Sequence, residues 1–154
     1  YSFSKSLSLP GERLGYVLVP KQVTDADSVY AATAGAGRSQ GYVNAPSLFQ
    51  RVAAECCDLT ANIGVYERNC ALLTDALREM GYQVVQPGGA FYLFPRSLES
   101  DDMAFSERAK KFDLLLVPGS GFGAPGHFRI AYCVQTEMIE RALPRFKALA
   151  DSYQ

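Results

Sequence analysis

Ten apolar residues recur through the middle of the chain at the spacing of a single helix face. They are Leu48, Val52, Cys56, Leu59, Ile63, Tyr66, Cys70, Leu73, Leu77 and Met80. The steps between them are 4, 4, 3, 4, 3, 4, 3, 4 and 3, and residues three and four apart lie one above the other on a helix. Pro46 suits the first turn, and Gly81 suits the stop. The spacing predicts one long helix between 44 and 81. That length exceeds an ordinary globular helix, so a kink is expected near Gly64. A stripe this long must be buried, and the rest of the chain has to supply the surface that covers it. A coiled coil would also bury it, but charges at the flanking positions are too sparse to favour one.

The remaining segments are short. Leu14 to Val19 is an apolar run closed by Pro20 and predicts a strand. Asp25 to Ala34 predicts a helix capped by Thr24 or Asp25, and Gly35 to Gly41 a flexible loop. Tyr82–Val85 and Ala90–Phe94 predict two strands around Pro87-Gly88-Gly89. Asp101 or Asp102 can cap a helix running to about Lys111. Leu114–Val117 predicts a buried strand, Phe128–Cys133 another, and Thr136 opens a last amphipathic helix. From residue 82 onward the order is strand, strand, helix, strand, strand, helix. Short connections between strands suggest antiparallel pairing with helices on one face, an α+β layer.

Composition sets the broad class. Of 154 residues, 48% are hydrophobic and 20% charged, which suits a globular domain with a sizeable core. The net charge of -1 offers no footprint for nucleic acid or an anionic membrane. No apolar run is long enough to span a bilayer, and no signal-peptide pattern opens the chain. The cysteines, Cys56, Cys57, Cys70 and Cys133, form no C-x-x-C pair, and the sole histidine is His127. A metal site is therefore not expected. Cys56 and Cys70 fall on the apolar face as free thiols, which points to a reducing cytoplasm.

The chemistry concentrates in the first sixteen residues. Lys5 sits between serines in Ser2-Phe3-Ser4-Lys5-Ser6, and Arg13 follows in Pro10-Gly11-x-Arg13-x-Gly15-Tyr16. A lysine amine can condense with an aldehyde and serve as a base, provided that it is held rigidly and partly desolvated. Hydroxyls and a guanidinium nearby suit a phosphate. On residue types alone, Ser-x-Ser-Lys also describes an ordinary surface lysine; the extension to Arg13 and Tyr16 is what tips the balance.

This motif resembles the cofactor-lysine motif of pyridoxal-phosphate-dependent aminotransferases of class I/II, the fold type I, aspartate aminotransferase superfamily. Further pieces resemble the same family. Asn44-Ala45-Pro46-Ser47 opens the long helix, and Val65-Tyr66-Glu67-Arg68-Asn69 and Leu77-Arg78-Glu79-Met80-Gly81-Tyr82 continue it. Pro87-Gly88-Gly89-Ala90-Phe91-Tyr92-Leu93-Phe94 is similar to the strand pair entering the family's small domain. Val117-Pro118-Gly119-Ser120-Gly121-Phe122-Gly123, with Gly126-His127-Phe128-Arg129-Ile130-Ala131, is similar to the loop and strand that bear its substrate-carboxylate arginine.

The resemblance implies a set of expectations. Lys5 is the Schiff-base lysine. Ser2, Ser4 and Arg13 bind the phosphate of pyridoxal 5'-phosphate. Arg129 holds the carboxylate of an α-amino acid or 2-oxo acid, and an amino group passes between the two. Residues 1–43 correspond to a remnant of the large cofactor-binding domain, 44–81 to the connecting helix and 82–154 to the small C-terminal domain. A homodimer is implied, with Asn44 near the neighbour's phosphate. A related lyase (carbon–sulfur lyase or cyclopropane-forming synthase) and an aminotransferase-like domain of a transcription regulator stay open. Because the chain begins at Tyr1 inside a motif, it reads as the C-terminal portion of a longer protein, unable to transaminate alone. Gly121-x-Gly123-x-x-Gly126 matches a dinucleotide fingerprint literally. Pro125 interrupts it and a strand follows, so a turn that places Phe122 near the substrate is expected instead, with His127 a loop residue.

Overall fold

The computed structural model describes all residues, 1–154, and divides into two compact units, Tyr1–Ala61 and Asn62–Gln154. The first holds α1 (Phe3–Ser6), α2 (Ala26–Ser39) and α3 (Ser47–Glu55). The second holds α4 (Ile63–Glu79), β1 (Tyr92–Leu93), α5 (Asp102–Lys110), β2 (Val117–Pro118), a 3-10 turn (Gly119–Phe122), β3 (Phe128–Ala131) and α6 (Thr136–Asp151). The three strands form an antiparallel sheet in the order β1-β3-β2, so the expected α+β class is the one observed.

The predicted single helix over 44–81 is two helices, and the break lies at 56–62 rather than near Gly64. Cys57, Asp58, Thr60 and Asn62 are weak helix formers. The apolar stripe is also not buried there: Leu59 and Ile63 are 59% and 55% exposed. With no packing to offset poor propensity, the helix stops, and the Ala61 N–H goes to the Ser6 carbonyl instead, at 2.8 Å. Beyond the break the periodicity does its work. Cys70, Leu73 and Leu77 of α4 are buried, and α4 packs on α6.

The core of the second unit is built around Leu73, Leu77, Leu93, Phe105, Phe128, Phe146 and Leu149, with Tyr82 inserted among them. Tyr82 meets Phe128 and Phe146 edge-on at 6.0 and 6.1 Å. Its hydroxyl donates to the Phe146 carbonyl at 3.1 Å, and burial pushes its ionisation well above the ordinary tyrosine range. Two polar side chains, Asn69 and Thr74, are fully enclosed. Asn69 donates through Nδ2 to the carbonyls of Tyr132 (3.1 Å) and Val134 (2.8 Å) and accepts from Thr136 Oγ1 (2.7 Å). It thereby joins α4 to the chain leaving β3 and to the first turn of α6.

Other expectations change. The strand predicted over 14–19 is absent; only the bridge Ser2↔Gly15 forms, and Val17 and Leu18 stand 70% and 75% exposed. An extended run becomes a strand only where a partner edge takes its hydrogen bonds. The loop expected over 35–41 is mostly helix: α2 runs through Gly35 and Gly37 to Ser39. Two glycines cost about 1 kcal/mol each without forbidding a helix seeded by the alanines before them, and the stop comes at Gly41, with φ +88°. The hairpin predicted around Pro87-Gly88-Gly89 does not pair with itself. Tyr82 and Val84 are buried and Gln83 and Val85 exposed, so the alternation is present without the ladder, and β1 pairs with β3 instead. The buried strand expected over Leu114–Val117 shrinks: Leu115 is 86% exposed and β2 is Val117–Pro118. All four cysteines are free; Cys70 is buried, Cys56 partly so, and Cys57 and Cys133 are exposed.

Leu77 and Leu115 give a direct comparison. Leu77→Ala, at a fully buried site, is expected to cost about 2–5 kcal/mol in urea unfolding, whereas Leu115→Ala should change stability by no more than about 0.5 kcal/mol. Asn69→Ala leaves two buried carbonyls and the Thr136 hydroxyl without their partner, and should cost about 1–3 kcal/mol in the same measurement. Equal midpoints for all three variants and the parent would refute this account of the core.

Candidate functional site

In the first unit, Tyr1 to Tyr16 close on themselves. The Tyr1 amine donates to the Tyr16 carbonyl (2.7 Å), the Tyr16 N–H to the Tyr1 carbonyl (2.9 Å) and the Phe3 N–H to the Leu14 carbonyl (3.1 Å). The rings of Tyr1, Phe3 and Tyr16 gather with centroids 5.3–6.1 Å apart. Gly15 is required here, because a Cβ would come within 2.6 Å of the Tyr1 carbonyl oxygen. The loop so closed carries Lys5 on the single turn α1, exposed. Ser2 caps that turn, its Oγ accepting from the Ser4 N–H at 3.3 Å. Arg13 returns on the opposite arm in the left-handed conformation, φ +55°, with Nη1 donating to the Pro10 carbonyl at 2.7 Å. Ser2, Ser4 and Lys5 thus share one turn. The Ser6 Oγ, next in sequence, is buried without a hydrogen-bond partner.

In the second unit, Arg129 sits on β3, half-buried. Its guanidinium lies 4.5 Å from the centre of the Tyr92 ring and 4.3 Å from that of Phe122. Tyr92 reaches it from the neighbouring strand: Tyr92 pairs with Ala131, and Arg129 lies two residues along on the same face. Phe122 reaches it from the 3-10 turn. The guanidinium carbon thus lies over both rings, and its fork of N–H donors is of the kind that matches a carboxylate bidentately.

The loop that carries Phe122 is tightly determined. A Cβ at Gly119 would meet the Ala124 and His127 carbonyl oxygens at 2.3 and 2.8 Å, and Gly123 and Gly126 both have φ +73°. The glycines spaced like a dinucleotide fingerprint therefore serve a turn feeding β3. His127 lies in this loop, Nδ1 to the Pro125 carbonyl at 3.0 Å, its ring stacked on Phe94. Ser120 is anchored to Asp102, the first residue of α5. Its N–H and hydroxyl each donate to that carboxylate at 2.6 Å. The sequence motifs name Lys5, Arg13 and Arg129 as candidates; the structure adds Tyr92 beside Arg129 and the Asp102–Ser120 contact. The one available signal was the aspartate doublet, since only one of the two can cap the helix. A groove of about 1070 Å³ in this unit, lined by residues including Arg78, Phe94, Arg96 and His127, does not include Arg129.

The family model "Aminotransferase class I and II" matches residues 1–146. The aspartate aminotransferase of Thermotoga maritima is 30% identical over 151 residues, covering 97% of this chain and 38% of that protein. Aromatic-amino-acid aminotransferase 2 of Thermococcus litoralis is 33% identical, covering 94% and 39%. Among solved structures, an aminotransferase from Eubacterium rectale superposes with a TM-score of 0.83 at 51% identity, over all of this chain and 39% of that one. The Thermotoga maritima aspartate aminotransferase superposes with a TM-score of 0.78 at 29% identity, over 97% and 39%. The chain spans about two fifths of the length of each of these relatives.

The Asp102 contact carries a pH signature. The Ser120 hydroxyl first, then the Ser120 N–H, with the Gly126 N–H adding to them and burial opposing, holds its carboxyl below the usual carboxylate range. A carboxyl lowered in the folded state adds stability that is complete above its unfolded value, about 3.9. That stability is lost as pH falls through the lower folded value. Melts of Asp102→Asn should therefore lose less stability than the parent on acidification below about pH 4. Identical acid slopes would remove Asp102 as the source.

Proposed function

The chain belongs to the class I and II aminotransferases, and from that premise we propose that its protein is a pyridoxal-phosphate-dependent enzyme moving an amino group between an α-amino acid and a 2-oxo acid. Lys5 is the proposed catalytic residue and Arg129 the proposed carboxylate-binding residue. The observation that carries the reading is the guanidinium of Arg129 held between Tyr92 and Phe122. Two rings lie against it, its planar fork of donors is what it has to offer a ligand, and a carboxylate is the partner that fits.

The donor set around Lys5 suits the cofactor. Ser2 and Ser4 contribute hydroxyls and Arg13 a guanidinium, of which Nη1 already bonds Pro10 and fixes the arm that carries it. These groups would hold a phosphate, with Lys5 Nζ as the covalent anchor for the aldehyde. When bound, pyridoxal phosphate supplies the electron sink that lets an α-proton leave. Lys5 Nζ would take up that proton and give it back; the role proposed for Arg129 is to bind a carboxylate through its fork of N–H donors.

Two finer points belong to the same proposal. The protein works as a homodimer, a reading supported by the apolar surface that the first unit leaves exposed at Tyr16, Val17, Leu18, Tyr42 and Val43. It works in a reducing cytoplasm, which suits four free cysteines; no helix is long and apolar enough to cross a membrane. These 154 residues by themselves neither hold the cofactor tightly nor transaminate. Lys5 is exposed, whereas a Schiff-base lysine needs a partly desolvated setting.

Borohydride reduction of the whole enzyme with its cofactor, followed by peptide mass spectrometry, should find the pyridoxyl label on Lys5. Lys5→Ala should lower kcat by about a thousandfold or more. Arg129→Lys should raise KM for the amino acid by about ten- to a hundredfold, the scale of charge-assisted hydrogen bonds lost. A label on another lysine, or an unchanged KM, would defeat the corresponding assignment. For the 154-residue chain alone, a cofactor absorbance band that disappears in Lys5→Ala would overturn the expectation that it binds weakly.

A further inference from the structure

The doublet Asp101-Asp102 divides two tasks between neighbours. Asp101 caps α5, its Oδ1 accepting from the N–H groups of Met103 and Ala104 at 3.0 Å each. Asp102 is thereby released from capping. It is 3% exposed, and its carboxylate reaches out of the helix to Ser120, taking the N–H on Oδ2 and the hydroxyl on Oδ1. One buried anion therefore grips the loop 119–126 at Ser120. Within the loop, Gly119 N–H donates to the His127 carbonyl at 2.8 Å and Gly123 N–H to that of Ser120 at 3.1 Å.

Phe122 is two residues beyond Ser120. It is 49% exposed, yet its ring is placed both over Arg129, at 4.3 Å, and edge-on to Phe94, at 6.1 Å. A half-exposed ring is not held by burial, so the backbone of the turn must hold it. We propose that Asp102 is a positioning residue for substrate binding: by clasping Ser120 it keeps Phe122 over one face of Arg129, and so keeps the guanidinium edge directed at the substrate carboxylate. This rests on the reading of Arg129 as the carboxylate-binding residue. Asp102 touches no reacting atom in that scheme. Without the clasp the turn loosens, the Phe122 ring drifts, and the arginine stem gains a second place to lie.

The test uses the 154-residue chain, isotopically labelled, with propionate as the carboxylate probe and propionamide as its neutral control. In the parent, stacking between two rings displaces the Arg129 Hδ resonances upfield, and propionate shifts the Arg129 Nε–Hε signal. In Asp102→Asn, which keeps the shape but can no longer accept both Ser120 bonds, the Hδ displacement should shrink. The propionate dissociation constant should rise about fivefold, the scale of one hydrogen bond, while the resonances of Leu73 and Leu77 stay in place. Ser120→Ala, which removes a single bond, should act in the same direction, and Ser120→Thr should restore the parent values; this pair decides the matter if Asp102→Asn does not fold. Unchanged Hδ shifts, or a core that moves along with them, would overturn the proposal. Arg129→Lys separates the two readings. If it binds propionate as the parent does, the carboxylate role of Arg129 fails, whereas the Hδ shifts in Asp102→Asn still judge the clasp.

Discussion

The side chain of Asn69 is the contact on which the second unit turns. It is fully buried, and three of its four hydrogen-bonding positions are used, two on the carbonyls of Tyr132 and Val134 and one on the Thr136 hydroxyl. Those three residues cover the exit from β3 and the entry to α6. A sheet of three short strands has little ladder with which to fix itself. Tying the end of its central strand to a helix supplies what the ladder lacks. Arg129 stands on that strand, so the polar contact beneath the sheet and the charged group upon it belong to one construction.

Leu73 and Leu77 packed beneath Phe128, Phe146 and Leu149 give the second unit a core of its own. The first unit has only Leu14 and Ala53 buried, and its order comes from backbone hydrogen bonds and from the three clustered rings of Tyr1, Phe3 and Tyr16. The difference shows in α2, which has no buried residue. A helix with no covered face depends on its own propensity, and two glycines weaken this one.

Much of the second unit was legible in the sequence. The stripe through Cys70, Leu73 and Leu77 marked α4, the aspartate doublet marked the start of α5, and Thr136 marked the start of α6, because each signal is local and each was later covered by packing. The failures share a cause as well. The run at 14–19 and the hairpin at 82–94 were read from strand chemistry, but strands depend on partners that periodicity does not name. The break at 56–62 is invisible to periodicity, because the apolar spacing continues through it while burial does not. For the site, Lys5, Arg13 and Arg129 were legible through the motifs around them. Tyr92 and Ser120 were not, since their roles come from register and from a turn, which bring together residues far apart in the chain.

The two rings beside Arg129 have a consequence for the carboxylate role proposed for it. A free arginine side chain samples many rotamers, and a ligand that fixes one of them must offset about 2 kcal/mol of lost freedom. Contact with Tyr92 and Phe122 restricts those rotamers before any ligand arrives. The residue is preorganised, and more of each hydrogen bond it makes can appear as affinity. Discrimination sharpens for the same reason. A guanidinium restrained in this way adapts less to a differently shaped anion, so a flat carboxylate approaching in the guanidinium plane is favoured over rounder groups of equal charge.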